Sequence, residues 1–173
     1  MFQIQIDKFR IETSRLLMIP FKNDGNYKTY SWLLDKDVMD TTFGGADNIE
    51  TIRLRIKRYI QHQKTYGVSK WLVLMKNEML PIGDAGLYRF DQNIINYDLG
   101  FRLEKNFWGI GLGSEIVDGW IKYARSYNYK VLYAFTNLTN PRSEGLLKKF
   151  KFKFELETTL YEKPVKKFIL NLS

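Results

Sequence analysis

The spacing of apolar residues changes from strand-like to helical along the first third of the chain. Residues 10–21 are rich in branched apolar side chains and predict an opening strand. A short helix is predicted over 27–34. A stronger helix is predicted over 48–66, with Asp47 or Asn48 as its cap. Its apolar residues recur at the i, i+3, i+4 spacing of a buried face, and they are Ile49, Ile52, Ile56, Tyr59 and Ile60.

From residue 71 onward the pattern predicts antiparallel strands and then strand–helix–strand units. The predicted strands cover residues 71–75, 80–90, 94–103, 131–136, 152–161 and 165–172. The predicted helices cover residues 111–126 and 140–150. Turns are expected at 76–78 and 91–93, and the last two strands are expected to form a hairpin around Lys163-Pro164. The order of elements indicates a mixed α/β class.

Composition narrows the class of protein. The chain has 173 residues, of which 45% are hydrophobic. We therefore interpret residues 1–173 as one domain that needs no disulfide or structural metal for stability. It contains no cysteine, which excludes a disulfide framework and a thiol nucleophile. His62 is the only histidine, so clusters of several histidine ligands are excluded and no metal site is predicted. Near the junction of the two faces of the 48–66 helix, His62 is predicted to be partly exposed.

The chain is basic, with a formal net charge of +8. This balance is compatible with nucleic acid, an anionic cofactor or an acidic protein partner, and equally with a solvated, lysine-rich surface. No strand interleaves aromatic and basic residues, so direct nucleic-acid binding is not expected. The start lacks the apolar core of a signal peptide, and no apolar run reaches the ~20 residues that span a bilayer. We therefore expect a cytoplasmic protein without a membrane partner.

Three alternate glycines lie where a predicted strand gives way to an amphipathic helix. Gly109, Gly111 and Gly113 follow the strand that ends near Leu103. The first turn of a helix has free N–H groups and a positive dipole end, and glycines let a phosphate approach them. A structural turn would explain these glycines equally well. A Walker A loop is excluded because no Lys-Ser or Lys-Thr follows, and a Rossmann loop would need glycine or alanine at Ser114.

The segment W-G-I-G-L-G at 108–113 resembles the coenzyme A signature of the GNAT acetyltransferases, Q/R-x-x-G-x-G/A. Tryptophan in the first position is similar to the RimJ/RimL branch, whose founding members acetylate the amino termini of ribosomal proteins. Further segments resemble that branch in the right order along the chain. They are I-E-T-S-R-L-L at 11–17, D-L-G-F at 98–101, N-P-R-S at 140–143 and L-K-K-F-K-F at 147–152.

The resemblance implies the GNAT fold, a mixed, mostly antiparallel sheet of about seven strands with helices on both faces. The sheet is expected to splay near the strand that ends at Leu103 and to admit acetyl-coenzyme A, with the Leu103 amide as donor to the acetyl oxygen. Ile110 stands where the family often has lysine or arginine. The implied cofactor contacts are Phe101, Arg102, Leu103, Trp108, Gly109, Ile110, Gly111, Leu112, Gly113, Ser114, Asn140, Arg142 and Ser143.

Two residues are candidates for catalysis. From the residues alone, Asn140 is an ordinary helix cap and Ser143 an ordinary first-turn residue. By resemblance, Ser143 supplies a hydrogen bond or proton to the departing thiolate, because Leu147 stands where many GNAT enzymes have a tyrosine acid. Asp98 stands where the family has a glutamate that acts as base, directly or through water. It could instead be a strand-end aspartate paired with a nearby lysine.

The resemblance implies an N-acetyltransferase in which an amine attacks acetyl-coenzyme A directly. The expected acceptor is a protein or peptide N-terminus, including that of a ribosomal protein. A small amine, such as a polyamine, amino sugar or aminoglycoside, is the first alternative. A non-catalytic coenzyme A-binding or RNA-associated module is the second. We expect a monomer or a homodimer.

Overall fold

A computed structural model describes residues 5–40, 45–89 and 97–172. Within these residues one sheet contains nine strands in the order β1-β2-β3-β4-β5-β6-β7-β9-β8. All neighbouring strands are antiparallel except β6 and β7, which are parallel. The strands are β1 (Gln5–Asp7), β2 (Arg10–Glu12), β3 (Leu16–Pro20), β4 (Lys70–Met75), β5 (Leu80–Tyr88), β6 (Tyr97–Leu103), β7 (Val131–Asn137), β8 (Lys153–Leu160) and β9 (Lys163–Asn171).

Five α-helices cover the two faces of the sheet in this part of the chain. They are α1 (Ser31–Leu34), α2 (Lys36–Asp40), α3 (Ile49–Tyr66), α4 (Leu112–Ser126) and α5 (Pro141–Lys149). The start of α3 is a capping box, in which Asn48 and Thr51 exchange side-chain and backbone hydrogen bonds. Asn48 is therefore the cap, and Asp47 instead pairs with Arg55. Gly67 ends the helix with φ +75°, a conformation that glycine adopts without strain.

Two hydrophobic clusters lie on opposite faces of the sheet. Helices α4 and α5 cover the larger one, which includes Trp71, Trp120 and Phe168. Helices α1, α2 and α3 cover the second, which includes Trp32 and Ile56. Because side chains alternate along a strand, each sheet residue belongs to either the α4 face or the α3 face. This assignment decides which predicted site residues can meet.

The structure confirms a mixed, mostly antiparallel sheet with helices on both faces, and it adds two strands. The segment 10–21 is not one strand, because a turn closed by a Thr13 N–H bond to the Leu16 carbonyl divides it into β2 and β3. The additional strand β1 pairs with β2. The short helix predicted over 27–34 begins as a 3-10 turn and becomes α-helical at Ser31.

The predicted turn of the closing hairpin is wrong. The turn falls at Tyr161-Glu162, which have φ of +49° and +62°, as a two-residue hairpin turn of the primed type requires. Lys163 and Pro164 are the first residues of β9. Proline near the start of a strand does not interrupt pairing if its nitrogen faces away from the neighbour, so it is a misleading turn signal here. The turn predicted at 91–93, and Phe90 and residues 94–96 of the predicted strands, lie outside the described residues.

Candidate active site

A gap opens between the two parallel strands in the middle of the sheet. The β6–β7 ladder consists of only two residue pairs, Tyr97 with Leu132 and Asp98 with Tyr133. Beyond them β6 continues through Leu103 while β7 continues through Asn137, with no further pairing between the described residues of the two strands. One edge of β6 is thus open after Asp98, as the predicted splay requires.

The hydrogen-bond alternation shows which backbone groups of β6 face this gap. The N–H of Glu104 donates to the Ile82 carbonyl at 2.7 Å, so the adjacent pair of Gly83 and Leu103 is of the non-hydrogen-bonded type. The N–H and C=O of Leu103 therefore point away from β5 and toward the gap. The same holds two residues earlier, at Phe101. Phe101 and Leu103, which both belong to the implied cofactor contacts, thus have their backbone groups on the open edge.

Arg102, between these two residues, is oriented differently. Its backbone pairs with Asp84 on β5, and its side chain lies on the α3 face. There the guanidinium holds the buried Asp84 carboxylate at 2.7 Å and donates to the Tyr59 hydroxyl. Trp32 donates its indole N–H to the same carboxylate at 2.7 Å. Arg102 is thus part of the support of β6 and has no group on the open edge.

Residues 109–114, here called the glycine loop, lead from the end of β6 into α4. Gly109 and Gly111 have φ of +79° and +87°, a region that side-chain-bearing residues rarely adopt. Gly111 is the N-cap of α4 and provides no side-chain acceptor for the amides of the first turn. This helix end therefore presents free N–H groups and a positive dipole, which fits a phosphate.

Gly113 is required for packing rather than for backbone conformation. A Cβ at this position would lie 3.0 Å from the ring of Phe101 and 3.4 Å from a methyl carbon of Leu146. The first turn of α4 therefore packs directly on the Phe101 ring of β6, and Leu146 of α5 lies beside it. This contact fixes the spacing between the glycine loop and the open edge.

Side chains around the loop brace it on both sides. The Trp108 indole N–H donates to the Leu103 carbonyl at 2.8 Å, and the Arg142 guanidinium lies 5.7 Å from the centre of the Trp108 ring. On α5, Lys149 donates to the Ser114 hydroxyl at 3.1 Å. Four residues of the predicted cofactor set, together with Lys149, thus connect β6, α4 and α5 directly.

Arg15 is a loop contact that the sequence indicates only as part of a motif. One guanidinium N–H donates to the Ile110 carbonyl at 2.9 Å, between Gly109 and Gly111. This contact holds the loop carbonyl so that the neighbouring amides face outward. Arg15 belongs to the segment I-E-T-S-R-L-L at 11–17, whose resemblance to the branch is the sequence signal for this residue.

Asp98 is the last paired residue of β6 before the gap, and its side chain lies on the α3 face. It is only 8% exposed, and its Oδ1 atom has no hydrogen-bond partner among the described residues. The Lys70 ammonium lies 3.9 Å from Oδ2. Burial raises the pKa of Asp98 to about 7, and the positive charge of Lys70 opposes this rise. A carboxyl group poised near neutral pH is suited to accept a proton.

Asn140 and Ser143 lie at the start of α5, on the other face of the sheet. The Asn140 side-chain oxygen accepts the Ser143 N–H at 3.0 Å, which confirms the predicted cap. The Ser143 hydroxyl has no hydrogen-bond partner in the described part of the chain. No contact joins Ser143 to Asp98 among the described residues. Ser143 and Asp98 thus belong to opposite faces of the sheet.

The prediction of a partly exposed His62 is wrong, since only 7% of this residue is exposed. Its ring stacks on Tyr88 with 4.1 Å between centroids. One ring nitrogen contacts the Val68 carbonyl at 2.7 Å, and the other accepts the Arg89 N–H at 3.1 Å. Both nitrogens are used, so His62 is a structural residue that joins α3 to β5. Burial lowers its pKa.

Comparison with known proteins identifies this arrangement. Residues 15–153 match the acetyltransferase (GNAT) domain family, and the chain belongs to that family. It is an acetyltransferase whose acyl donor is acetyl-coenzyme A. The open edge of β6 and the glycine loop fit this donor, because they offer backbone amides to its pantetheine arm and its pyrophosphate.

Solved structures share the fold over nearly the whole chain. A GNAT-family acetyltransferase from Bacillus anthracis aligns with a TM-score of 0.78 at 16% identity, covering 99% of both chains. A ribosomal-protein-S5-alanine acetyltransferase from Vibrio fischeri aligns at 0.76 and 15%, covering 94% of this chain and 96% of that one. RimL, a ribosomal L7/L12 α-N-protein acetyltransferase in complex with coenzyme A, aligns at 0.75 and 15%, covering 91% and 94%.

Two other kinds of site are not found over residues 5–40, 45–89 and 97–172. No three or more acidic or histidine side chains are grouped closely enough to hold a metal ion. No helix is both long and apolar enough to cross a membrane.

Proposed function

We propose that the chain transfers the acetyl group of acetyl-coenzyme A to the N-terminal amine of a protein or peptide, as in the RimJ/RimL branch. The observation that carries the chemistry is the open edge of β6. It directs the amides of Phe101 and Leu103 into a gap next to the buried, unpartnered oxygen of Asp98. The Leu103 amide is proposed to donate to the thioester carbonyl, and Asp98, five residues earlier on the same strand, is proposed to accept a proton from the amine through water.

The proposed roles follow from the two faces of the gap. Asp98, on the α3 face, takes a proton from the acceptor ammonium and frees the nitrogen lone pair. The new N–C bond forms as the C–S bond breaks. Ser143, on the α4 face, hydrogen-bonds the departing thiolate sulfur or gives it a proton, and the second proton that the attacking nitrogen loses then restores the serine hydroxyl. Amides of the loop from Gly109 to Ser114 hold the pyrophosphate, and Asn140 is proposed to contact the pantetheine arm. Acetyl-coenzyme A supplies the activated acetyl group.

Two kinds of observation, from similarity and from the surroundings of Asp98, support a peptide acceptor. The tryptophan-glycine segment at 108–113 resembles that of the RimJ/RimL branch, and two similar structures are acetyltransferases of ribosomal proteins. In addition, the tip of the β8–β9 hairpin reaches the neighbourhood of Asp98, where the charge of that carboxylate acts on the exposed Tyr161. Tyr88 and Tyr59 stack edge to face nearby, so aromatic side chains border the proposed acceptor side.

The acceptor is tested by turnover of acetyl-coenzyme A against three panels of amines. These are peptides with a free N-terminus, polyamines, and aminoglycosides. We expect kcat/KM to be at least about tenfold higher for peptides than for the other two panels, a difference of ~1.4 kcal/mol in transition-state binding. Mass spectrometry should locate the acetyl group on the α-amine.

The matched control is the same peptide with its N-terminus blocked and an internal lysine retained. Activity with the blocked peptide would assign the enzyme to lysine side chains. Turnover confined to polyamines or aminoglycosides would replace the peptide acceptor by a small amine and leave the acetyltransferase chemistry intact.

A further inference from the structure

Lys70 is a buried lysine next to the proposed base. It is the first residue of β4, lies on the α3 face and is only 8% exposed. Its ammonium donates to the Gly86 carbonyl at 3.1 Å and to the Gly100 carbonyl at 2.9 Å. A buried lysine is rare without compensating partners, and these two carbonyls satisfy only two of its three N–H groups. The group that faces the remaining charge is Asp98, at 3.9 Å.

We propose that Lys70 is a positioning residue for Asp98, whose carboxylate it holds in the ionised, proton-accepting form next to the gap. This inference rests on the proposed function, in which Asp98 accepts the proton of the acceptor ammonium. An N–H bond of the acceptor breaks and an O–H bond forms on Asp98, while Lys70 keeps its own protons. Burial lowers the pKa of Lys70, and the negative charges of Asp98 and Asp84 oppose this fall. In the proposal the ammonium contributes its positive charge and does not touch the substrate.

The backbone around the ammonium is shaped to receive it. A Cβ at position 100 would lie 2.8 Å from the Lys70 nitrogen and 3.8 Å from Oδ2 of Asp98. Glycine at this position therefore leaves the space through which the two charges approach. At position 86 a Cβ would lie 2.1 Å from the Ser69 carbonyl, and φ is +155°. Both carbonyls that hold the ammonium thus belong to glycines that the local packing requires.

Other charged groups act on the pair but do not replace Lys70. Asp84 and Arg102 act on Lys70 with opposite signs and are already paired with each other at 2.7 Å. His62 and Arg89 lie on the side of Lys70 away from the open edge, where Arg89 donates its backbone N–H to the ring. The tyrosines that border Asp98 are Tyr88 and Tyr161. None of these groups is a cation in direct contact with Asp98, so Lys70 is the dominant positive charge among the described neighbours.

The test measures protonation of Asp98 directly, independently of activity. The carboxyl carbons of aspartate are labelled with ¹³C, the Asp98 signal is assigned by its absence in Asp98→Asn, and its titration midpoint is followed by NMR. We expect Lys70→Met to raise this midpoint by at least about one pH unit, because the opposing charge is lost. We expect Gly100→Ala, which keeps the charge but displaces the ammonium, to raise it by less. In Lys70→Met, the low-pH limb of the turnover profile should move with the midpoint.

Lys70→Gln is the second variant if Lys70→Met does not fold, since its amide can still donate to one carbonyl. A midpoint that is unchanged in either folded variant would overturn the proposal and leave Lys70 as a purely structural residue. The failure of the proposed function looks different. In that case Lys70→Met would still move the Asp98 midpoint, whereas Asp98→Asn would leave turnover and its pH profile unchanged.

Discussion

Arg15 and Glu115 form an ion pair that connects the turn before β3 to the first turn of α4, with 2.8 Å between Nε and Oε2. Glu115 is buried and also accepts the Arg15 backbone N–H at 2.8 Å and the Thr13 hydroxyl. The same guanidinium holds the Ile110 carbonyl. The Glu115 carboxylate thus holds Arg15, and Arg15 in turn holds the glycine loop. The geometry of the loop therefore depends on a residue about a hundred positions earlier in the chain.

Replacing Glu115 by glutamine should lower the free energy of unfolding by about 1–3 kcal/mol at neutral pH, because a buried charge-assisted network is lost. Burial acts to raise the pKa of Glu115, but the hydrogen bonds of Thr13 and Arg15 outweigh it and lower the pKa below 4.5. This carboxylate therefore stabilises the fold above pH ~4.5, and its contribution is lost as the pH falls through the lowered pKa. Urea unfolding should show that the free energies of unfolding of the wild type and of Glu115→Gln converge as the pH falls from neutral to acidic.

The control for this experiment is Glu50→Gln. Glu50 also pairs with an arginine, Arg53, but both side chains are at least half exposed. We expect its loss to leave the unfolding free energy nearly unchanged. Equal effects of the two substitutions would show that Glu115 has no special structural role.

The glycine loop should discriminate against negative charge. Gly109 has a positive φ, and a Cβ at this position would meet nothing within 4 Å, so Asn and Asp can both be accommodated there. If the loop amides bind pyrophosphate, Gly109→Asp should weaken binding of acetyl-coenzyme A at least about tenfold relative to Gly109→Asn, ~1.4 kcal/mol. Calorimetry at low and high salt should show the difference shrinking as salt screens it. Equal affinities in the two folded variants would contradict the proposal that the loop amides bind the pyrophosphate.

Gly113 and Gly145 are helical glycines that should respond to substitution with opposite sign. A valine at 113 would press on the Phe101 ring and on Leu146, and we expect a loss of about 1–3 kcal/mol from overpacking. Gly145→Ala, where nothing lies within 4 Å, should stabilise the protein by about 0.5–1 kcal/mol. Thermal unfolding measures both effects. A Gly113→Val variant as stable as wild type would contradict the tight contact between α4 and β6.

Asp98→Asn should change how turnover depends on pH. In the wild type, we expect kcat/KM to rise with pH as Asp98 loses its proton near its raised pKa of about 7. The variant should be most impaired near neutral pH and should approach the wild type above the α-amine pKa of ~8, where the acceptor is already neutral. Affinity for acetyl-coenzyme A, measured by calorimetry, should be nearly intact. Coincident profiles of the two enzymes would assign Asp98 a structural role.

The features that could be predicted from the sequence are those with local signals. Caps at Asn48 and Asn140 and the glycines around the start of α4 are short patterns that act within a few residues, and the structure has each at the predicted place. Arg15 and Glu115 are 100 positions apart, and no periodicity brings them together. His62 is buried because Tyr88, from a distant strand, covers its ring. Lys70 opens a buried strand, and only the fold reveals that its charge faces Asp98.

Ser143 tests the proposed proton donor, and its neighbour Asn140 supplies the contrast. Ser143→Ala keeps the backbone N–H that Asn140 accepts, so stability should change by less than about 1 kcal/mol, whereas Asn140→Ala removes the cap and should cost about 1 kcal/mol. If the Ser143 hydroxyl assists the departing thiolate, turnover in Ser143→Ala should fall on the order of 10²-fold, with binding of acetyl-coenzyme A much less affected because the loop amides remain. Rapid-quench turnover at saturating substrates isolates the chemical step. A loss of less than about threefold there would mean that water or the acceptor ammonium supplies the proton instead.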